Sequence, residues 1–177
     1  MVDFWEKRME LSTALARKRV GESFSFELTE KIEPQSFSGR RVEFEAPLHV
    51  VGRYVFDGKA FDLEAEVDTV LRSDCARCLK PFSEPFAFSV EERFVKGGEI
   101  GEDDDLYPYE GDTLDITKAV YDNLFLQLPI VSVCSPDCKG LCPICGCDRN
   151  VTECSCQPTD AGNPFVVLKM EQEKDQE

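Results

Sequence analysis

Nine cysteines constrain this chain more than any other feature, because seven of them fall within residues 134–156. That segment has few large apolar side chains, so burial of a core alone cannot fold it. The first ten residues, MVDFWEKRME, contain acids and lack the apolar run that precedes a signal cleavage site. We therefore expect a cytoplasmic, reducing setting, in which clustered cysteines indicate metal binding or redox chemistry rather than disulfides.

The stretch that begins at Cys142 has the Cys-Pro-x-Cys-Gly form of a zinc knuckle. Pro143 restricts the turn, and Gly146 allows the backbone twist that directs N–H groups toward the sulfurs. The residues that follow, 146–153, are long enough to return the chain to the same ion. Cys147 is expected to be a free thiol. The predicted first zinc site is built from Cys142, Cys145, Cys154 and Cys156.

Four further cysteines form a candidate second site: Cys75, Cys78, Cys134 and Cys138. The first two have metal-ligand spacing between two strand-like runs, and they would meet the others if the fold brings this turn to the C-terminal segment. Cys138 could instead displace Cys154 or Cys156 from the first site. A zinc ion held by four thiolates has no open position, which predicts a structural role. An iron–sulfur cluster would use the same thiolates.

The motif Cys75-Ala-Arg-Cys78 admits two other interpretations. Arg77 lies between the thiols, and a nearby positive charge favours the thiolate, which would suit a thiol–disulfide or redox-sensing protein. The two cysteines could also be small buried side chains. A low thiol pKa and reversible oxidation of Cys75 without unfolding would support the redox function.

Alternating apolar and polar residues predict strands in the first half of the chain. In residues 22–29, for example, Phe24, Phe26 and Leu28 would share one face. Asp57-Gly58 is a hairpin turn signal. Similar alternating runs occupy residues 42–56, with breaks near Pro47 and Gly52, and residues 60–71 and 82–94. Successive turns of this kind favour an antiparallel meander that is curled or partly closed.

Two segments have helical periodicity. Over residues 3–18, Leu11 and Leu15 share one face, which predicts a helix that docks on the sheet. A second helix is predicted over 115–128, capped by Asp115 and ended by Pro129. The predicted fold class is α+β, with an antiparallel sheet or small barrel, flanking helices and a C-terminal cysteine-rich zinc-binding segment. The expected divisions are an α+β domain at 1–130, the zinc-binding segment packed on it at 131–170, and a disordered tail at 171–177.

The net charge of −15, from 35 acidic and 20 basic residues, limits the partners that the chain can attract. A strongly acidic protein repels phosphate backbones, so broad nucleic-acid binding is disfavoured and a basic partner protein is favoured. Five bases nevertheless lie close in sequence to the cysteines: Arg72, Arg77, Lys80, Lys139 and Arg149. They would either balance the thiolate charge or contact RNA, and the first is our preferred interpretation.

The chain lacks the motifs of common enzyme classes. His49 is the single histidine and lies in an alternating run, where we expect a residue at the edge of the core rather than a base. No serine–histidine constellation accompanies it, and Gly97-Gly98 precedes acids rather than the Lys-Ser/Thr pair of a phosphate-binding loop. No stretch approaches the roughly 18 apolar residues of a membrane span. We expect no enzymatic activity, no small-molecule substrate and no membrane association.

Several of these features together resemble the YceD-type family, which is named for accumulation of large-subunit ribosomal RNA. They span most of the chain. Cys147 departs from the family pattern, in which another residue is usual, and this supports leaving it out of the metal sites. The matching features are Cys75-Ala-Arg-Cys78-Leu79 after a strand, a helix ending in Leu-Gln-Leu-Pro129, Cys138-Lys-Gly-Leu-Cys142-Pro-Ile-Cys145-Gly, Asn150, and Asn163-Pro-Phe-Val-Val-Leu168.

The resemblance implies a non-enzymatic factor in ribosome biogenesis that supports large-subunit rRNA accumulation or processing, with no catalytic residues to carry over. Since the acidic charge argues against extensive RNA binding, we expect an adaptor whose acidic surface holds a basic ribosomal protein or another assembly factor. The alternatives are a redox-sensing protein that uses Cys75 and Cys78, and a direct RNA-binding module that uses Arg72, Arg77 and Lys80.

Overall fold

The computed structural model describes residues 8–37, 40–97 and 106–156. Within them lie nine strands, one α-helix and one 3₁₀ turn, and no helix there is long and apolar enough to cross a membrane. The elements are β1 (Glu10–Ser12), the 3₁₀ turn (Ala16–Lys18), β2 (Ser23–Glu30), β3 (Gln35–Phe37), β4 (Arg40–Phe44), β5 (Leu48–Phe56), β6 (Ala60–Asp74), β7 (Pro81–Lys96), β8 (Tyr107–Tyr109), β9 (Thr113–Asp115) and α1 (Thr117–Gln127).

A seven-stranded sheet forms the body of the protein. Strands β2, β5, β6 and β7 are consecutive antiparallel neighbours, β8 adds to β7 in parallel, and β4 pairs with the far end of β6 and carries β3. The predicted break near Pro47 separates β4 from β5, whereas the one predicted near Gly52 is absent, because β5 runs through that residue. The sheet is mixed rather than purely antiparallel, because β8 pairs with β7 in parallel. Among the described strands it does not close into a barrel, because β2, β3 and β8 each pair on one side only.

The predicted helix over residues 3–18 is wrong for the part that the structure describes. Strand β1 pairs antiparallel with β9, and only the 3₁₀ turn is helical. Met9 N donates to Thr117 Oγ1 at 2.8 Å, and Leu11 is buried opposite β9. Pairing with a strand about 100 residues away in sequence overrides the local periodicity, and Leu15 stays 57% exposed. The start of that predicted helix lies outside the described residues.

Helix α1 confirms the second predicted helix, with slightly shorter bounds. Asp115 Oδ1 accepts a hydrogen bond from Thr117 N at 3.0 Å, next to the first turn. The buried side of the helix packs against β7 and joins the core of the sheet. Each fully buried leucine or phenylalanine in such a core contributes about 1.5–3 kcal/mol. Core residues of the helix and sheet include Ala119, Val120, Leu124, Phe61, Leu63, Val67, Val90 and Phe94.

The long β6–β7 hairpin carries the first pair of cysteines beyond the body of the sheet. Its strands pair along all 15 residues of β6, from Ala60 to Asp74. At about 3.3 Å per residue the ladder extends roughly 50 Å. Strand β5 follows β6 only as far as Asp68, and β4 only as far as Arg72. The hairpin turn at residues 75–80 therefore projects toward the C-terminal segment rather than into the main core.

The division into residues 1–130 and 131–170 stays a prediction. The cysteine-rich segment begins soon after α1. The last turn of this helix is closed by Leu128 N, which donates to Leu124 O at 3.1 Å. The part of the predicted zinc-binding segment beyond Cys156, together with the predicted tail, lies outside the described residues. The described part of the segment contains seven of the nine cysteines.

Candidate metal centre

The β6–β7 turn is folded so that its two cysteines point the same way. Cys75 N donates to Lys80 O at 2.9 Å, and Leu79 N donates to Cys75 O at 2.8 Å. Leu79 has a φ of 61°, a left-handed conformation in which the chain reverses tightly after Cys78. Arg77 N lies 3.4 Å from Cys75 Sγ and donates to it. The turn thus has the form of a metal knuckle, in which backbone N–H groups face a sulfur ligand.

The C-terminal segment binds this turn through its backbone. Ala76 N donates to Ser132 O, and Leu141 N donates to Arg77 O, each at 2.9 Å. The Arg77 guanidinium donates to Pro136 O at 3.0 Å and to Cys138 O at 2.9 Å. Because these bonds anchor the segment on both sides of Cys138, they bring the second pair of cysteines to the first.

Four thiols meet at this junction, and we call them the hairpin cluster: Cys75, Cys78, Cys134 and Cys138. Their sulfurs all lie within 4.8 Å of one another. Cys75 Sγ is 3.8 Å from Cys138 Sγ, and Cys78 Sγ is 3.7 Å from Cys134 Sγ. A tetrahedral zinc with Zn–S bonds of about 2.3 Å separates its sulfurs by roughly 3.8 Å. The cluster therefore has the spacing of a tetrathiolate zinc site.

A second set of thiols lies in the following loop, and we call it the knuckle cluster: Cys142, Cys145, Cys147 and Cys154. Its sulfurs also lie within 4.8 Å of one another. Cys154 Sγ is 3.4 Å from Cys142 Sγ and 3.6 Å from Cys145 Sγ. Gly146 has a φ of 73°, and its N–H donates to Cys142 O at 2.9 Å. Gly146 permits the left-handed turn that the sequence predicted after the second ligand.

The thiols within each cluster differ in pKa. The pKa of Cys75 falls to about 6, chiefly because Cys134 N–H donates to its sulfur, and that of Cys142 falls to about 6 through the N–H groups of Cys145 and Ile144. By contrast, desolvation and the neighbouring thiols raise the pKa of Cys134 to about 12. Each cluster thus contains at least one thiol with a lowered pKa and at least one with a raised pKa. Four thiolates at this spacing would repel one another, and a cation among them would offset that repulsion.

The structure groups the predicted site residues with one exchange. All four cysteines of the candidate second site come together. Of the candidate first site, Cys142, Cys145 and Cys154 come together with Cys147, whereas Cys156 lies outside the group of four. Cys156 is exposed and close enough for its thiol to hydrogen-bond with those of Cys145 and Cys154, which raises its pKa to about 12. The sequence signal for including Cys147 was the Cys145-Gly-Cys147 spacing, because the left-handed turn at Gly146 reverses the chain between these two cysteines.

The bases near the cysteines make contacts within the protein. Lys80 Nζ lies 2.6 Å from Asp148 Oδ2, which ties the hairpin turn to the knuckle loop. Arg72 lies 3.7 Å from a Glu45 carboxylate oxygen. The Lys80 pair and the carbonyl contacts of Arg77 lie at the junction between the hairpin and the C-terminal segment, whereas the Arg72 pair lies within the sheet.

His49 lies on the outer face of the sheet. Its Nε2 is 2.9 Å from Glu27 Oε1 and its Nδ1 is 3.1 Å from Asp68 Oδ1, so the ring bridges β2 and β6. Hydrogen bonds to Glu27 and then Asp68 raise its pKa. Both ring nitrogens face carboxylates, an arrangement that favours a cross-strand ion pair over the deprotonated base that catalysis would need.

Both clusters fall within a match to a known family. Residues 63–170, more than half of the chain, match the family model described as Large ribosomal RNA subunit accumulation protein YceD. The chain belongs to the YceD family. The matched region begins in β6 and contains all nine cysteines, so the family pattern covers the hairpin turn, α1 and the cysteine-rich segment.

Similarity to individual YceD-like proteins is partial. An uncharacterized protein of Mycobacterium bovis is 36% identical over 77 residues, 41% of this chain and 37% of its own length. The chloroplastic large ribosomal RNA subunit accumulation protein YCED homolog 1 of Zea mays is 32% identical over 128 residues, 54% of this chain and 44% of its own. The uncharacterized protein YlbN of Bacillus subtilis is 29% identical over 132 residues, 73% of this chain and 77% of its own. This chain thus spans less than half of the mycobacterial and maize relatives, and no solved structure matches it.

Proposed function

We propose that this YceD-family protein is a non-enzymatic factor in cytoplasmic ribosome biogenesis. It supports the accumulation or processing of large-subunit ribosomal RNA and contains two structural zinc ions. The family description and the names of the maize and Arabidopsis thaliana relatives support the link to ribosomal RNA. The observation that carries the structural half is the pair of four-thiol clusters at the junction of the hairpin and the C-terminal segment.

Zinc suits both clusters because it prefers four sulfurs in a tetrahedron. The hairpin cluster would fasten residues 132–141 to the β6–β7 turn, and the knuckle cluster would close the loop from Cys142 to Cys154. When bound, the ion supplies folding energy that this polar segment cannot obtain from a core. Four thiolates leave no coordination position for water or substrate, which supports a structural role and the absence of hydrolytic chemistry.

Cys147 and Cys156 compete for the fourth position of the knuckle cluster, and the geometry favours Cys147. We expect Cys147→Ser to lose the knuckle zinc and Cys156→Ser to retain two ions per chain. The two variants remove the same atom type from positions nine residues apart. Elemental analysis after dialysis against a weak chelator would measure the difference. If instead Cys156→Ser lost an ion and Cys147→Ser did not, the sequence-based ligand set would be correct.

The outer face of the sheet suits a basic partner. Four acids occupy alternate positions along β6 on this face, and the three residues between them are buried. Arg93, Arg53 and His49 pair with three of these acids, and Glu66 adds a further carboxylate, so acids still outnumber bases along the stripe: Asp62, Glu64, Glu66 and Asp68. Because the whole chain has a net charge of −15, this face would attract a lysine- and arginine-rich ribosomal protein or assembly factor at long range.

Association with pre-ribosomal particles tests this function. We expect the protein to co-sediment with large-subunit precursors at low salt and to dissociate as salt rises, and its depletion to lower large-subunit rRNA. The variant Glu64→Gln with Glu66→Gln should weaken co-sedimentation. A matched control, Asp137→Asn with Glu153→Gln, removes two exposed acids from the cysteine-rich segment. Absence of co-sedimentation at low salt, together with unchanged rRNA levels, would refute the proposal.

The two alternatives have less support. The pKa of Cys75, lowered to about 6, fits a redox thiol. A redox sensor must also meet a partner thiol, however, and Cys75 is 0% exposed, with its sulfur beside the other three cysteines of the hairpin cluster. For direct RNA binding, the charged groups of Arg72 and Lys80 would have to leave carboxylate partners. Retention of RNA association after Arg72, Arg77 and Lys80 are changed to Ala would remove that patch from consideration.

A further inference from the structure

Asn150 belongs to the knuckle loop, but its side chain contacts the hairpin cluster. Asn150 Nδ2 lies 3.4 Å from Cys138 Sγ and donates to it. The orientation of the amide is fixed by its other end, because Oδ1 accepts from Lys139 N at 2.8 Å. A backbone N–H is only a donor, so the oxygen must face Lys139 and the nitrogen must face the sulfur.

Asp148 holds Asn150 in this position. Its Oδ1 accepts from Asn150 N at 2.9 Å and from Asn150 Nδ2 at 2.7 Å. Its Oδ2 lies 2.6 Å from Lys80 Nζ on the hairpin turn. Arg149 N donates to Gly140 O at 3.0 Å. The amide nitrogen therefore has one hydrogen for Asp148 and one for Cys138, and the loop that presents it is bound on both sides.

We propose that Asn150 is a positioning residue that couples the two centres. The idea rests on the zinc ions of the proposed function. When the knuckle cluster holds its ion, the loop from Cys142 to Cys154 is closed and Asn150 donates to the Cys138 thiolate. An N–H donor to a ligating sulfur offsets its charge and steadies the metal–sulfur bond. Occupancy of the knuckle cluster thereby slows loss of zinc from the hairpin cluster.

Coupling of this kind is reciprocal for equilibrium affinity. An ion in the hairpin cluster fixes Cys138 and, through Asn150 and Asp148, the loop that carries the knuckle ligands. Exposure sets the order of release, because three of the four hairpin thiols are buried and only Cys134 is exposed, whereas only Cys142 of the knuckle cluster is buried. A chelator should therefore remove the knuckle ion first, and loss of the hairpin ion should then accelerate.

The test uses the full chain loaded with ¹¹³Cd or zinc. Asn150→Asp keeps the shape and the oxygen that accepts from Lys139 but removes the N–H donor, and Asn150→Ala removes both. We expect both variants to bind two ions, to move the ¹¹³Cd resonance of the hairpin cluster and to release the hairpin zinc about tenfold faster. Cys142→Ser with Cys145→Ser should accelerate hairpin release to a similar degree. Thr152→Ala, on the same loop, is the matched control and should change neither readout.

Two results would overturn the inference in distinguishable ways. If wild-type protein binds fewer than two ions, the two-zinc part of the proposed function fails and the coupling fails with it. If wild-type protein binds two ions but Asn150→Asp leaves the hairpin resonance and release rate unchanged, only the coupling is wrong. If Asn150→Ala does not fold, Asn150→Asp and the emptied-knuckle variant still give the answer, because neither shortens the side chain at position 150.

Discussion

Replacing Cys75 by Ser is expected to leave the protein with one zinc ion instead of two and to destabilise it by more than about 4 kcal/mol, the range typical of a lost metal site. Cys75 is fully buried at the hairpin turn, and its sulfur faces Cys138 at 3.8 Å. A serine oxygen is a poorer zinc ligand than a thiolate. Without the ion, nothing would bind the three remaining thiols to one another, and the folding energy from metal binding would be lost. The C-terminal segment should then detach from the hairpin.

Elemental analysis and proteolysis measure this outcome. After removal of the hairpin ion, the segment that follows Pro129 should be cleaved while the sheet stays resistant. Cys156→Ser is the matched control, because Cys156 is an exposed cysteine outside both clusters of four. Retention of two ions in Cys75→Ser, or cleavage after Pro129 in Cys156→Ser as fast as in Cys75→Ser, would contradict the assignment of the hairpin cluster.

The second large effect is expected from Gly140→Ala. Gly140 has a φ of +71°, and an added Cβ would lie 2.8 Å from Arg77 O, the carbonyl that binds Leu141 N. Gly146 has nearly the same φ, +73°, in the same segment, but its Cβ would meet nothing within 4 Å. Both substitutions carry the cost of the left-handed backbone, about 1 kcal/mol. Only Gly140→Ala also pushes the segment off the hairpin turn, at a further cost of about 2 kcal/mol.

The free energy of unfolding, measured at a fixed concentration of free zinc, separates the two effects. Gly140→Ala should be about 2 kcal/mol less stable than Gly146→Ala. Its hairpin ion should also be released faster, since Cys138 moves with the segment. Equal stabilities of the two variants would mean that the contact between Gly140 and Arg77 does not hold the segment in place.

Local patterns predicted the elements whose neighbours are close in sequence. The alternation through Phe61, Leu63 and Val67 identified β6, and its antiparallel partner β7 follows after one short turn. Periodicity likewise identified α1, because a buried helix side needs no distant partner to be recognised. The N-terminal segment failed for the opposite reason. Strand β1 exists because of β9, about 100 residues away, and nothing local to Leu11 reveals that pairing.

The cysteine spacing separated the C-terminal thiols into two groups, but it did not identify every neighbour. Cys147 could not be assigned from spacing alone, because its position depends on the left-handed turn at Gly146 and on Cys142 N donating to Cys147 O at 2.8 Å. Asn150 stood out only as a mark of the resemblance. Its contact with Cys138 arises from the packing of one loop on another, which sequence periodicity does not report.

Native mass spectrometry with elemental analysis of freshly purified, untagged protein tests the central claim most directly. Two closed four-thiol clusters predict two zinc ions per chain, retained without any disulfide. One ion would mean that one of the two clusters does not bind metal. Protein that carries no metal, with thiols that titrate as free or as disulfide-paired, would contradict the account and favour a redox role for these cysteines.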